Sequence, residues 1–269
     1  MICPQCGKLI GIDEPRCPFC GAWRPGLYGW TPPLQRLFGN RLDLVALVST
    51  TCVVLYVAAL VLQPEAILQV RGLFAFLSPG TRALYQLGMT GGVAWREGWW
   101  WTLLTAIYLH GGLLHIFFNL MWVRNLGPPV VEVYGPARAF VIFSLAGAAG
   151  FLVSNLASGS PSIGASGSIF GLLAALIVYG RRHGHTLLTS QLWQWAVLMF
   201  AMGFLMSGVN NWAHAGGFAG GWVAGEAMRF SDERRESPGI QILALVLIGL
   251  TGAGFVLSFV RVTAVLMGR

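Results

Sequence analysis

Ser166 stands in the tetrad Gly164-Ala165-Ser166-Gly167 at the head of one apolar stretch, and His214 heads another, followed closely by Gly216, Gly217, Gly220 and Gly221. A serine hydroxyl becomes a nucleophile when a neighbouring base takes its proton, and histidine is the usual base. Polar and ionisable groups are expensive inside apolar segments, so a nucleophile and a base at corresponding ends of two such segments mark a functional site. The pair points to a serine hydrolase working within a membrane. A developing oxyanion needs hydrogen-bond donors aimed at it. His115 and Asn119 are candidates because residues four apart share one helical face, and the backbone N–H of Ser166 adds a third donor. His110, five residues before His115, falls on another face and is expected to hydrogen-bond the long loop that precedes it. Phe170, one turn after Ser166, either packs as an ordinary apolar residue or stacks on His214 and fixes its ring.

These side chains need a scaffold that holds them at one depth. The 269 residues are 55% hydrophobic and 10% charged, too apolar for an ordinary soluble domain. A net charge of +7 does not indicate nucleic acid, because the basic residues occur singly or in pairs between apolar runs, as membrane anchors do. No nucleic-acid partner is expected; the lipid bilayer is. Nothing at the polar, cysteine-rich start of the sequence resembles a cleavable signal peptide. Apolar runs at 42–62, 113–134, 137–156, 166–179, 192–209, 213–228 and 240–260 predict seven spanning helices, an all-α polytopic membrane protein. The connection 63–106 is too mixed to span, and Trp95, Trp99, Trp100 and Trp101 place it partly in the headgroup layer.

Lys and Arg set the orientation. With the N-terminus cytoplasmic, Lys8, Arg16, Arg24, Arg36, Arg41, Arg138, Arg181, Arg182, Arg229, Arg234 and Arg235 lie inside, and Arg71, Arg82, Arg96, Arg261 and Arg269 lie outside. Eleven against five predicts an inner N-terminus and an outer C-terminus. Arg124 falls within the second helix, where its head must snorkel or find a polar partner. In this topology the second, fourth and sixth helices all run inward, so His110, His115, Ser166 and His214 converge near the outer face. The distance from Ser166 to the inner Arg181 is about 22 Å at ~1.5 Å per residue, against a hydrocarbon core of about 30 Å, which puts Ser166 below the outer surface.

Acidic residues are poorly placed to complete a triad. Only Glu65 and Glu97 fall outside, and Glu226 sits about 18 Å along its helix from His214. A Ser-His dyad is the expectation. A metal site built from His110, His115 and His214 is the rival chemistry, but no His-Glu-x-x-His occurs and no carboxylate lies close enough to serve as its base. The pairs Gly167 and Gly171, Gly217 and Gly221, and Gly216 and Gly220 are each four apart and predict close helix approach. Such approach serves generic packing and also brings Ser166 toward His214.

Taken together, Gly164-Ala165-Ser166-Gly167, His214-x-x-Gly217-x-x-x-Gly221 and His110-x-x-x-x-His115-x-x-x-Asn119 resemble the rhomboid intramembrane serine proteases, over roughly 42–228. The resemblance implies a six-helix protease core at 42–229, then a cytoplasmic linker and seventh helix within 230–269. It implies transmembrane protein substrates whose spanning helix unwinds near the outer face, with a small residue at the cleaved bond. Substrates would pass the fifth helix, which carries Trp193, Trp195, Phe200 and Phe204, and move under the loop 207–211. Many rhomboids carry Tyr where Phe170 stands, which favours the stacking role. Many also carry Trp-Arg nine residues before the first motif histidine, whereas here that register holds Trp101-Thr102 and the nearest Trp-Arg is Trp95-Arg96. A non-catalytic rhomboid-like adaptor that binds transmembrane helices is the alternative, and the intact Ser166 and His214 argue against it.

A separate signal lies at the start of the chain. Cys3-Pro-Gln-Cys6-Gly7 and Cys17-Pro-Phe-Cys20-Gly21 are two Cys-x-x-Cys knuckles ten residues apart. Four thiolates in this arrangement suit tetrahedral zinc, and about 25 residues are too few to fold around an apolar core alone. Residues 1–26 resemble a zinc ribbon; rubredoxin-type iron is the other metal such knuckles take, and a reducing cytoplasm disfavours disulfides. The structural zinc is the one cofactor expected, with none for catalysis. A cytoplasmic partner of the ribbon is expected, of unknown identity. Residues 27–41 read as the linker, and Cys52 as a small packing residue.

Overall fold

The computed structural model describes residues 3, 6–11, 14–23, 43–66, 76–206, 208–228, 230 and 236–266. The linker 27–41, Ser207 of the expected entrance loop, and Arg24, Arg36, Arg41, Arg71, Arg229, Arg234, Arg235 and Arg269 lie outside the described residues.

Asp43 opens the first long helix, α1 (Leu44–Leu62). Its carboxylate accepts from the N–H groups of Val45 at 2.9 Å and Ala46 at 3.1 Å, satisfying donors that a helix start leaves unpaired. Three short helices follow in the long connection: α2 (Thr81–Gln86), α3 (Gly92–Arg96) and α4 (Thr102–Thr105). Then come α5 (Leu113–Tyr134), α6 (Pro136–Ala157), α7 (Ser166–Arg182), α8 (Thr186–Leu205), α9 (Asn211–Ala227) and α10 (Pro238–Leu266). Each of the seven apolar runs is a helix. Among the described residues there is no strand, only isolated bridges of Arg16 with Trp23 and of Thr90 with Ser162.

The protein is an all-α polytopic membrane protein whose seven apolar runs form helices of unequal length. Among the described residues four helices, α1, α6, α8 and α10, are long and apolar enough to cross a membrane, and the segment 102–108 with α5, bent by 95°, adds a fifth if the pair is one span. At 17 residues each, α7 and α9 reach about 25 Å at ~1.5 Å per residue, short of the ~30 Å core. Their neighbours explain this: α7 is buried from Gly167 through Val178, so it faces protein rather than lipid and need not match the bilayer. The fifth helix also differs from expectation, running Thr186–Leu205 instead of 192–209. Its first turns carry Thr186, Thr189, Ser190 and Gln191, which an apolar-run search passes over, and it ends where Met206 turns extended.

Centrally, α9 is wedged between α6 and α7. A Cβ added to Gly217 would lie 2.7 Å from the Gly167 Cα, and one on Gly221 would lie 2.5 Å from the Gly171 carbonyl carbon. On the other side, a Cβ on Gly216 would meet Val153 Cβ at 2.7 Å and one on Gly220 would meet Ala149 Cβ at 2.7 Å. Two glycine pairs therefore serve two different helices, and backbones touch where side chains would hold them apart.

The long connection folds inward more than its composition suggests. Trp99 and Trp101 are buried and stacked at 6.2 Å, while Trp100 is exposed. Trp101 Nε1 donates to Ser258 Oγ of α10 at 3.0 Å. Trp101 thus packs against the last helix, with Trp99 stacked beside it. At the opposite end, Gly135 (φ 92°) makes the tight turn from α5 into α6. The Glu236 carboxylate accepts from the Arg138 N–H at 2.8 Å there, and burial raises that carboxyl above the usual carboxylate range. Arg124 is exposed on α5, where its long side chain can carry its charge along the helix surface.

Candidate active site

Ser166 is the first residue of α7 and His214 the fourth of α9, so the glycine-mediated contact of these two helices fixes their separation. His214 Nε2 and Ser166 Oγ are 2.9 Å apart, within hydrogen-bond range. His214 is buried and Ser166 half-buried. Below the pair, the Phe170 ring stacks on the imidazole, with centroids 4.5 Å apart and planes 23° from parallel. His214 Nδ1 is buried, and among the described residues it has no hydrogen-bond partner and no carboxylate orients the ring. Ala165 offers no side-chain cap to α7, which leaves the first N–H groups of the helix, that of Ser166 among them, at its positive end.

His115 faces the same tetrad. The Gly111 N–H donates to His115 Nδ1 at 3.2 Å, so in the neutral ring Nε2 carries the hydrogen. That Nε2 lies so near Gly164 that a Cβ there would sit 2.7 Å from it. Gly164 also has φ 121°, a conformation side-chain-bearing residues rarely adopt. The geometry therefore presents an imidazole N–H donor beside the Ser166 loop. Asn119 lies one turn further, but its Nδ2 donates to the His115 carbonyl at 2.8 Å, which occupies one of its two amide hydrogens, and its Oδ1 is buried without a partner among the described residues.

His110 departs from expectation. It precedes α5 instead of lying on it, and its ring meets that of His115 edge to face at 5.0 Å. Among the described residues neither ring nitrogen makes a hydrogen bond of good geometry, and 67–75 of the long loop lie outside them. The helical-face argument failed because the chain is extended at Leu109 and breaks before Leu113, so the 3.6-residue period does not run through His110.

Asn210 was not singled out from the sequence. Its Oδ1 accepts from the Ala213 N–H at 3.2 Å, capping α9, while its Nδ2 donates to Ser154 Oγ at 2.5 Å and Ser162 Oγ at 2.7 Å. One side chain thus joins the base helix, α6 and the segment leading to Ser166. An Asn three residues before the sixth apolar run is a helix-start signal that would have found it.

At the start of the chain, Cys3, Cys6, Cys17 and Cys20 place their sulfurs within 4.8 Å of one another. Cys3 and Cys20 are 3.8 Å apart and Cys6 and Cys17 3.5 Å, close to the ~3.8 Å edge of a tetrahedron with metal–sulfur bonds of about 2.3 Å. The four thiols can hold one metal ion. Among the described residues this is the one group of three or more candidate ligands that converges; His110, His115 and His214 do not form another.

A family profile described as Rhomboid domain matches residues 97–229. The chain is 32% identical over 181 residues to rhomboid protease GluP of Bacillus subtilis, covering 66% of this chain and 35% of GluP. It is 31% identical over 176 residues to YdcA of Bacillus subtilis, named as a candidate rhomboid protease, covering 61% of this chain and 85% of YdcA. Over 173 residues it is 30% identical to Inactive RHOMBOID-like protein 8 of Arabidopsis thaliana, covering 60% of this chain and 48% of that one. The chain thus spans about a third of GluP and about half of the Arabidopsis protein.

Proposed function

This chain belongs to the rhomboid family, and we propose that it is an intramembrane serine endopeptidase in which Ser166 and His214 act as a dyad. The observation that carries the reading is the 2.9 Å contact of His214 Nε2 with Ser166 Oγ, made between two helices that glycines bring together. Ser166 attacks the scissile carbonyl as His214 Nε2 takes its proton, and His214 then returns that proton to the leaving amine. Phe170 holds the imidazole plane in place of a carboxylate on Nδ1. The oxyanion is received by His115 Nε2–H, the Ser166 N–H at the positive end of α7, and the second amide hydrogen of Asn119. His110 supports His115 by ring contact.

Substrates are transmembrane protein segments cleaved near the outer face, reaching Ser166 past α8 and under the loop 207–211. The charge count supports an inner N-terminus and an outer C-terminus. Four domains divide the chain: a zinc ribbon at 1–26, a linker at 27–41, the protease core at 42–229, and a cytoplasmic linker with the seventh helix at 230–269. Zinc held by Cys3, Cys6, Cys17 and Cys20 organises the ribbon and takes no part in proteolysis.

The name of the inactive Arabidopsis relative keeps a second reading in play, a non-catalytic adaptor that binds transmembrane helices. Two measurements on purified protein separate them: labelling by a fluorophosphonate, and cleavage of a reporter transmembrane segment. Wild type is expected to do both, while Ser166→Ala and His214→Ala do neither and remain folded, because nucleophile and base act as one unit. Cleavage retained by either variant would sink the dyad, and a folded wild type inert in both assays would favour the adaptor.

A further inference from the structure

Among the described residues two contacts hold the His214 imidazole: that of its Nε2 with Ser166 and the stack on Phe170. The Phe170 ring is itself 2% exposed and also meets Phe200 in a T-shaped contact, with centroids 6.4 Å apart and planes 82° apart. Phe200 belongs to α8, and Phe204 meets it edge to face in turn at 5.4 Å. A continuous aromatic row therefore runs from the base, through α7, to α8.

The helix at the end of that row is loosely enclosed. Only Leu192, Ala196 and Gly203 of its twenty residues are buried, whereas α7 is buried through most of its length. Trp195 meets Trp122 of α5 at 5.6 Å and Trp193 meets Phe218 of α9 at 5.3 Å, while Phe200 carries the aromatic contact of α8 to Phe170. A shift of α8 changes the edge that Phe200 offers to Phe170. Edge-to-face and stacked rings have preferred geometries, so the Phe170 plane follows, and with it the imidazole.

We infer that Phe200 is a positioning residue that couples the seat of α8 to the orientation of His214. The inference rests on the serine reading above and adds that α8 influences the chemical step itself. Its role is transmitted through Phe170; Phe200 touches neither Ser166 nor the reacting carbonyl.

The test compares wild type, Phe200→Ala, Phe200→Leu and Phe200→Tyr for the rate constant of fluorophosphonate labelling and for kcat and KM on the reporter segment. Leu keeps most of the volume without a ring, and Tyr keeps the ring. Phe200→Ala and Phe200→Leu should lower the labelling rate and kcat by the same factor, about tenfold or more, because misplacement by an ångström costs up to ~10²-fold. KM should stay within about twofold, and Phe200→Tyr should restore both rates toward wild type. Labelling unchanged in Phe200→Ala, an effect confined to KM, normal labelling in Phe200→Leu, or Phe200→Tyr as slow as Phe200→Ala would each overturn the inference. Ser166→Ala in the same assay keeps the two claims distinguishable. If wild type labels only when Ser166 is intact and Phe200→Ala labels equally fast, the serine reading survives and the coupling falls; if wild type does not label, both fall.

Discussion

Replacing Gly217 by Ala tests whether backbone contact between α7 and α9 sets the catalytic distance. Gly217 lies three residues after His214, and Gly167 directly follows Ser166. An Ala Cβ at 217 would sit 2.7 Å from the Gly167 Cα and nearer still to the Gly167 carbonyl oxygen. Carbon atoms pack at about 3.5–4.0 Å, so the helices must part by roughly 1 Å. The contact is backbone on backbone, and α6 closes the other side of α9, so no flexible side chain can absorb the strain. Parting by 1 Å stretches the 2.9 Å Ser166–His214 contact to about 3.9 Å, beyond hydrogen-bond range. Overpacking of this kind costs about 1–3 kcal/mol of stability, and the misplacement costs up to ~10²-fold in rate. The assay is initial-rate cleavage of the reporter segment and fluorophosphonate labelling, with thermal denaturation in the same detergent. Gly249→Ala in α10 is the control, since a Cβ there meets nothing within 4 Å. Gly217→Ala with an unchanged melting temperature and activity within twofold of wild type would refute the reasoning.

Two further outcomes are expected. Asn210→Ala removes the α9 cap and leaves Ser154 and Ser162 short of a shared donor, so it should lower stability by about 0.5–2 kcal/mol for the cap alone and reduce turnover; an unchanged melt would show that Asn210 holds nothing together. Cys3→Ser or Cys17→Ser should abolish binding of one zinc per chain, because opening a closed four-thiolate site removes the metal that folds the ribbon, while cleavage in detergent persists; full zinc content by metal analysis in either variant would overturn the ligand assignment.

The parts of this molecule that were legible in the sequence are those whose physics is local. Seven helices follow from apolar runs, because the bilayer and the bundle interior both demand them. The meeting of α7 with α9 follows from glycines at four-residue spacing, and the place of Phe170 under His214 follows from one turn of helix. Where residues were misplaced, the deciding contact came from elsewhere in the chain. Trp101 is internal because Ser258, 157 residues later, accepts its indole N–H, and no loop composition reveals that.

His110 and His115 show the same division on a smaller scale. Helical spacing links His115 to Asn119 correctly, because both lie on α5, and fails for His110, because the helix has not begun there. The break matters chemically. An unbroken helix would commit the Gly111 N–H to the carbonyl four residues before it. Here that N–H instead meets His115 Nδ1, and the ring is left with its one hydrogen on Nε2, beside Gly164. The same irregularity that takes His110 off the helix is what leaves His115 with a donor beside Gly164.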